Sequence, residues 1–558
     1  MADNIYVFES YTDVGTQQIT DDGTGIDWIF VRDTHSYQFG AWGTFVDMHN
    51  TGWVFVNYNI YPGGITTAHS LIVFGQIENI QGGAGNEHIV GSDFANVIAG
   101  DPDGVAGNYD ELFGNAGNDT IYGGGGDDTI FGGADSDLIF GDRDPNAQSA
   151  GNIAMGDDSL FGDAGADTLM GNEGNNTLDG GTGHDTADYS GFFDDFGNYS
   201  YSVSIMLSIG AATVTQHELQ GGATSAVASD RLVSIDTVLG TGGNDYMGGF
   251  SPLDLGEFNG CTFYGGDGND TLAGDYGVDA IYGGNGSDNL SDGGNHVHTG
   301  YDVLNGGAGD DYYTVDDAGT RVIENTAADG YDRVFSWVTS YTLPRNVEAL
   351  YLFTIDGGGV NGTGNGLNNQ IEGDQIANQL SGLAGDDFAL GNAGADTLFG
   401  GAGADGLYGG TEGDKLYGGT QADVLYGEAG SDWLYGGSEN DTLYGGTQAD
   451  HLSGGAGVDR LSGGGGADVF LFAKGQTGTG AARDTITDFA TSVDKIDLRG
   501  IMAGQEFIQN AAFSHTAGEV RYVASTGILA GDTDGNGGAD YQIYLGQNRV
   551  LVDGDLIL

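Results

Sequence analysis

Between residues 364 and 471 an apolar residue recurs at every ninth position: Ile371, Leu380, Ala389, Leu398, Leu407, Leu416, Leu425, Leu434, Leu443, Leu452, Leu461 and Phe470. The surrounding residues recur with it. Gly400-Gly-Ala-Gly-Ala-Asp405-Gly-Leu-Tyr408, Gly418-Gly-Thr-Gln-Ala-Asp423-Val-Leu-Tyr426 and Gly454-Gly-Ala-Gly-Val-Asp459-Arg-Leu-Ser462 share the pattern G-G-x-G-x-D-x-U-x, where U is apolar. The unbroken run spans 364–471, and two interrupted blocks precede it at 82–188 and 240–314. Clear members there are 114–122, 123–131, 132–140, 162–170, 265–273, 274–282, 283–291 and 306–314.

A nine-residue period with one inward position predicts a turn of six residues followed by a three-residue strand whose middle side chain is buried. Glycine supplies the positive φ angles of the turn. Two repeats then make one 18-residue coil, with turns on alternating sides. The predicted fold is all-β, a right-handed parallel β-roll or β-helix solenoid. Segments 189–239 and 315–363 lack the nonapeptide but alternate apolar and polar residues, as in Ser202-Val-Ser-Ile-Met-Leu207 and Val347-Glu-Ala-Leu-Tyr-Leu-Phe353. They are expected to be calcium-free spacers that continue the solenoid. Segment 1–81 is expected to be an aromatic-rich β cap or solenoid unit, and 472–558 a C-terminal cap.

Charge changes the picture. The chain of 558 residues has 81 Asp plus Glu against 14 Lys plus Arg, for a formal net charge of −67, and 108 glycines. Such a composition favours disorder. Yet 39% of the residues are hydrophobic, enough for a core if cations neutralise the carboxylates. Nucleic acid and anionic membrane surfaces would be repelled and are not expected partners. A single cysteine, Cys261, rules out an internal disulfide. The start, Met1-Ala2-Asp3-Asn4-Ile5-Tyr6, has no basic region before an apolar stretch, so no cleavable signal peptide is expected. No transmembrane segment is expected either.

The sixth position of the repeat is the candidate site. In the third block it is Asp387, Asp396, Asp405, Asp414, Asp423, Asp432, Asp441, Asp450, Asp459 and Asp468. In the first it includes Asp119, Asp128, Asp137, Asp158, Asp167 and Asp185, and in the second Asp245, Asp270, Asp279, Asp288 and Asp311. Carboxylates 18 residues apart, facing one another among turn carbonyls, form a hard oxygen cage suited to Ca²⁺, and multiple calcium ions are the expected cofactor. Asn369 and Asn378 break the pattern and are expected to bind poorly, as are Glu87, Asn96, Asn176 and Cys261. Asp532-Thr-Asp534-Gly-Asn536-Gly537 matches the start of an EF-hand loop, although position 12 falls on Ile543 rather than Glu; Asp532 and Asp534 are candidate ligands there.

Other chemistry is sparse. The only His-Glu, His217-Glu218, is followed by Leu-Gln-Gly-Gly, so the two-histidine zinc helix of a metalloprotease is missing. Cys261 has no catalytic partner in the sequence. His296-Val-His298 reads as a polar loop rather than a metal site, and Asp101-Pro102 and Asp144-Pro145 as loop turns. No catalytic residue is assigned, and the chain is expected not to be an enzyme. Position nine carries Phe399, Tyr408, Tyr417, Tyr426, Tyr435 and Tyr444. Alternate members should stack as outward ladders at ~4.8 Å per coil. Trp28, Trp42 and Trp53 concentrate aromatic surface in segment 1–81.

The repeats resemble the RTX (repeats-in-toxin) family. Ala467-Asp-Val-Phe-Leu-Phe472, Arg483-Asp-Thr-Ile-Thr-Asp-Phe489, Asp494-Lys-Ile-Asp-Leu498 and Gly531-Asp-Thr-Asp-Gly-Asn-Gly-Gly-Ala-Asp-Tyr541 resemble the C-terminal domain of serralysin-type secreted proteins. The final Asp555-Leu-Ile-Leu558 is similar to that family's uncleaved export signal. The resemblance implies calcium binding, the type I (ABC) export machinery as partner, and an extracellular or cell-surface location outside a Gram-negative bacterium. The expected role is an extracellular structural or adhesive component (surface layer, matrix or filament) that self-associates on calcium. The alternatives are a polysaccharide-binding module or, less favoured, a β-helix polysaccharide lyase or epimerase.

Overall fold

A computed structural model describes residues 79–81, 86–100, 109–142, 156–172, 174–190, 230–249, 260–274, 277–293, 301–325, 330–354 and 360–558. It also gives the backbone of further strands within 4–72 and 201–233. The chain divides into two units, Met1–Ala308 and Gly309–Leu558. Among the described residues no helix is long and apolar enough to cross a membrane.

In the second unit the nonapeptides lie as a stack of parallel strands. Thr397–Ala402, Lys415–Thr420, Trp433–Ser438 and His451–Ala456 are neighbours in one sheet. Gly406–Thr411, Val424–Ala429, Thr442–Thr447 and Arg460–Gly465 are neighbours in the other. Leu398 pairs with Leu416, and Leu416 with Leu434, so the register is the 18-residue coil read from the sequence. Position eight points inward throughout: Leu398, Leu407, Leu416, Leu425, Leu434, Leu443, Leu452 and Leu461 are fully buried. The flanking positions seven and nine face outward, as strand alternation requires.

The strands are longer than the three residues expected. Thr397–Ala402 covers positions seven to nine and continues through positions one to three of the next repeat. The turn shrinks to positions four to six. Position two keeps a positive φ inside this extended stretch, at Gly401 (φ 115) and Gly419 (φ 117). A Cβ on Gly401 would lie 2.2 Å from the carbonyl oxygen of Leu383 in the preceding coil, so stacking leaves it no room.

The first unit repeats this architecture. Thr120–Gly124 pairs in parallel with Leu138–Asp142, and Glu111–Ala116 with Thr129–Ala134. Ile121, Ile130, Ile139, Leu169 and Leu178 form its buried file. Insertions lengthen single coils: Val97 pairs with Thr120, and Leu138 with Thr168.

The two spacers differ. In 315–363 the strands Arg333–Ser336 and Ala349–Leu352 stay parallel and in register with Gln370–Glu372. Segment 189–239 departs from a simple coil. Tyr201–Leu207, Ala212–Glu218 and Ala226–Val233 form an antiparallel meander, after which Leu232 pairs with Leu178 and Val238 with Ala187. The meander is thus an excursion spliced between stacked coils. In 1–81, Gln17–Thr20, Trp53–Ile60 and Trp42–Asp47 form a small antiparallel sheet, while Asn4–Glu9 pairs in parallel with Asp27–Arg32. The side chains of Trp28, Trp42 and Trp53, and the residues His296–His298, Asp101-Pro102 and Asp144-Pro145, lie outside the described residues, as does the side chain of Glu87.

Residues 472–558 close the stack. Asp484–Ile486 and Lys495–Gly500 continue the two sheets, and Glu519–Val523, Ile528–Asp532 and Tyr541–Tyr544 add an antiparallel layer. The terminal Leu556–Ile557 pairs with Ile496 and Asp497.

Candidate metal centres

Each position-six aspartate is held by its main chain before its carboxylate does anything. The N–H of Asp405 donates to Oδ1 of Asp423 at 2.8 Å, and the carbonyl of Asp405 accepts from the N–H of Val424. The same bond links Asp387 to Asp405, Asp396 to Asp414, Asp414 to Asp432, Asp423 to Asp441, Asp432 to Asp450, Asp441 to Asp459 and Asp450 to Asp468. The result is two ladders of aspartates, one along each edge of the roll.

These bonds use Oδ1. The second oxygen, Oδ2, of Asp387, Asp396, Asp405, Asp414, Asp423, Asp432, Asp441, Asp450, Asp459 and Asp468 is buried with no hydrogen-bond partner. Asp119, Asp137, Asp158, Asp167, Asp185 and Asp270 repeat this in the first unit. A buried carboxylate oxygen left unpaired costs several kcal/mol, on the order of the desolvation of one ion. A whole file of them requires a counter-charge.

The first glycine of the repeat makes the cradle. A Cβ on Gly400 would lie 2.3 Å from Oδ2 of Asp405 and 2.7 Å from the carbonyl oxygen of Gly418. On Gly436 it would lie 2.4 Å from both Oδ2 of Asp441 and the carbonyl oxygen of Gly454. A carboxylate and a carbonyl oxygen therefore crowd the same space, which only glycine leaves open. Both are hard, negatively polarised donors, the set that Ca²⁺ prefers. The residues fit the ion.

Burial also raises these carboxyls when no cation is bound. It pushes Asp414 and Asp441 up to about 8 and Asp387, Asp396, Asp423 and Asp450 to about 7, against the opposing pull of the backbone N–H each accepts. Like-charged aspartates in neighbouring coils add to the rise for Asp414, Asp441 and Asp450.

The asparagines at position six show how a turn closes without an ion. Oδ1 of Asn378 accepts the N–H of Asp374, its Nδ2 donates to the carbonyl of Val360, and its own N–H reaches Oδ1 of Asp396. Asn369 does the same with Asn365, Val347 and Asp387. The amide nitrogen supplies the positive end that a carboxylate lacks. Asp245 is closer to this pattern than to its aspartate neighbours, since its two oxygens accept from the N–H and hydroxyl of Thr241. Oδ1 of Asp279 accepts from the backbone and thiol of Cys261, the single cysteine. Asp128, Asp288 and Asp311 hold the same ladder position in their turns.

Several rungs escaped the nine-residue frame. Asp311 donates its N–H to Oδ1 of Asp332, and Asp332 to Oε2 of Glu348, so acidic residues run through the segment expected to be calcium-free. Asp230, Asp236 and Asp302 take the same role after inserted segments, accepting from Asn176, Asp185 and Asp279. Asp311, Glu324 and Asp332 also bring carboxylate oxygens within 4.8 Å of one another. For Asp230, Asp236, Asp302, Asp332 and Glu348 the sequence signal is an acidic residue two before a buried apolar one.

The EF-hand-like segment forms a tight loop. Asp532, Asp534 and Asp540 bring oxygens within 4.8 Å of each other, and Asp540 was not legible as a member. Oδ1 of Asp532 accepts from Gly535 and Asn536, and Oδ2 from Gly537. Ile543, at loop position 12, is instead buried in a strand.

The outward ladders form as the spacing predicted. Ring centroids of Phe399 and Tyr417, and of Tyr417 and Tyr435, are 5.0 Å apart. Tyr408, Tyr426 and Tyr444 stack on the opposite sheet at 4.7 and 4.8 Å. Trp433 lies flat on His451 at 3.9 Å.

The family comparison agrees with this geometry. The RTX calcium-binding nonapeptide repeat (4 copies) matches residues 81–103, 110–145, 155–187, 262–290, 297–317, 372–407, 408–443 and 435–470. No curated protein matches the chain. Among solved structures, it is similar to the AlgE6R3 subunit of the mannuronan C5-epimerase of Azotobacter vinelandii. The two are 29% identical over 26% of this chain and 78% of that one, with a TM-score of 0.16. The chain carries RTX calcium-binding nonapeptide repeats in both of its units, on a β-roll fold.

Proposed function

We propose that this protein is exported unfolded, folds on meeting extracellular calcium, and serves there as a non-enzymatic structural or adhesive component that self-associates. The observation that carries the folding switch is the file of buried, unpartnered Oδ2 atoms from Asp387 to Asp468. Without a cation these carboxylates repel, and a chain of net charge −67 stays open. Extracellular calcium modules bind at about 10⁻⁴–10⁻³ M, so the switch closes only outside the cell. Ions that bind the folded state alone stabilise it by mass action. The ligands in this reading are the position-six aspartates named above, with Asp532 and Asp534 as a separate site.

Export through a type I machine is supported by the tail. Asp555-Leu-Ile-Leu558 resembles an uncleaved export signal, and in the folded chain Asp555 is tied to the N–H groups of Ser492 and Val552. The signal is therefore readable only before folding. A scaffold role is supported by the stacked coils and their closing layer, which make up most of the regular structure of the described chain.

Light scattering and particle imaging of the full chain, with calcium and with a chelator, test both halves. Collapse to a compact form and growth into oligomers in calcium are expected. An unchanged hydrodynamic radius would remove the switch, and strict monomers at high concentration in calcium would remove the assembly.

The stacked Phe399–Tyr417–Tyr435 and Tyr408–Tyr426–Tyr444 ladders favour a second reading, polysaccharide binding. Aromatic faces in file suit sugar rings. Glycan-array binding abolished by alanine at Tyr417 and Tyr426 supports it, and binding that survives those changes counts against it.

A further inference from the structure

One aromatic file is longer than the nonapeptides that contribute to it. On one side of the second unit, eight neighbouring parallel strands run from Tyr312–Val315 to Thr442–Thr447, through the spacer and into the repeats. Their register sets Phe335, Tyr351, Glu372, Leu390, Tyr408, Tyr426 and Tyr444 in a single line, each paired with the next. Strand alternation turns this line outward, because the residue before each of them is buried in the core. Rings stack on both sides of Glu372. Phe335 lies 5.0 Å from Tyr351, Tyr408 4.7 Å from Tyr426, and Tyr426 4.8 Å from Tyr444. Phe388, 41% exposed, extends the line by reaching Tyr408 at 5.0 Å. The opposite sheet has no such length of rings. Its line runs Thr363, Ser381, Phe399, Tyr417, Tyr435 and Ser453, three rings between hydroxyl side chains.

Charge and shape say what the long face can hold. The chain has 81 Asp plus Glu, yet of the residues flanking the buried file on these eight strands only Glu372 is acidic. Exposed acids stand beside the line instead, as Glu412, Glu428 and Glu439 do. Eight strands at ~4.8 Å and three residues of ~3.3 Å make a strip of roughly 40 by 10 Å. That is roughly half of the ~800 Å² that a stable protein partner covers, and it is too narrow for a compact one. A linear polymer running across the strands fits the strip. Sugar rings offer it apolar C–H faces for the aromatic faces and keep their hydroxyls in water. The formal charge of −67 repels a polyanion, so the complementary chain is an uncharged one.

We propose that the outward face from Phe335 to Tyr444 is one continuous track for an uncharged linear polysaccharide. This rests on the polysaccharide reading of the ladders and narrows it: one sheet carries the site, the spacer strands belong to it, and the ligand has no carboxylates. The spacer then does more than join two blocks of repeats, since it supplies the Phe335 and Tyr351 end of the track.

Calorimetric titration of the full chain in saturating calcium tests this, with cello-, xylo- and manno-oligosaccharides of graded length as uncharged probes and oligogalacturonates as charged ones. Affinity for at least one uncharged series is expected to rise with length up to about eight units, one per coil. A plateau at the trisaccharide overturns the track, and this reading needs no variant to fold. Phe335→Ala and Tyr426→Ala are each expected to weaken binding about fivefold, the loss of one ring contact. Tyr426→Phe keeps the ring and is expected to keep the affinity, and Trp433→Ala, on the opposite sheet, to leave it unchanged. Circular dichroism in calcium verifies that each variant is folded. A loss in Tyr417→Ala with none in Phe335→Ala overturns the track and leaves the polysaccharide reading intact. Binding of oligogalacturonates alone does the same. Binding of none of these probes overturns both.

Discussion

Asp405 and Asp423 are 18 residues apart in sequence, and the N–H of one donates to Oδ1 of the other at 2.8 Å. The bond fixes one carboxylate oxygen of Asp423. It leaves Oδ2 of each residue buried without a protein partner. One aspartate per turn therefore does two jobs: it locks the coil spacing and presents a carboxylate oxygen that a cation, or in its absence a proton, must neutralise.

Asp423→Asn separates those jobs. Asparagine retains the Oδ1 acceptor and, as Asn378 shows, can satisfy its own turn. The variant is expected to keep its β-roll in saturating calcium and bind fewer ions. Loss of charge-assisted bonds is expected to cost about 1.5–3 kcal/mol of calcium-dependent stability. Calcium titration followed by circular dichroism, with ion counting, checks it; an unchanged ion count would remove Asp423 from the site.

Gly400→Ala attacks the cradle rather than the ligand. The new methyl would press on Oδ2 of Asp405 and the carbonyl of Gly418. Overpacking of this kind typically costs about 1–3 kcal/mol. The expected result is weaker calcium binding with the aspartates untouched. Alanine at Gly366 is the control, since nothing lies within 4 Å of a Cβ there.

pH acts in opposite senses with and without calcium. Burial raises Asp414 and Asp441 to about 8 and Asp387, Asp396, Asp423 and Asp450 to about 7, from the ordinary 3.8 of an aspartate. The ion-free fold therefore holds protons that the unfolded chain has released. Its stability is full below pH ~4 and is lost as pH rises through about 7 to 8. Calcium competes with those same protons, so apparent affinity is expected to fall as pH drops from 8 to 6. Chelated protein should gain structure on acidification over that window, and a calcium midpoint independent of pH would contradict the assignment.

Leu425→Ala tests the inward file. Leu425 is fully buried between Leu407 and Leu443. Deleting its side chain is expected to cost about 2–5 kcal/mol. Denaturant unfolding in saturating calcium reads this, with the number of bound ions unchanged.

Tyr417→Ala should be milder. Tyr417 stacks between Phe399 and Tyr435 on the outer face, and each such pair contributes about 0.5–1.5 kcal/mol. A small fall in thermal midpoint in calcium, without loss of ions, is expected.

Much of the fold and of the site was legible in the repeat. Position eight is buried and position six faces its counterpart one coil away wherever coils keep the 18-residue length. Asp332, Glu348, Asp484 and Asp494 were not legible, because their coils are longer or shorter and break the frame. Asp540 joined Asp532 and Asp534 through a loop whose closure no spacing rule revealed.

The sequence by itself determined the two-sheet roll, its buried leucine file and the chemistry of its turns. A strict period leaves one solution for which residues face inward and which stack. Tertiary structure alone decided which aspartates are left with an unanswered oxygen. That depends on whether a nearby group reaches the carboxylate: Thr241 does so for Asp245, and no protein group reaches Oδ2 of Asp405. It also decided where the ladder ends, because hydrogen bonds follow coil contact in space, and Asp459 finds Asp484 across a segment that the repeat does not describe.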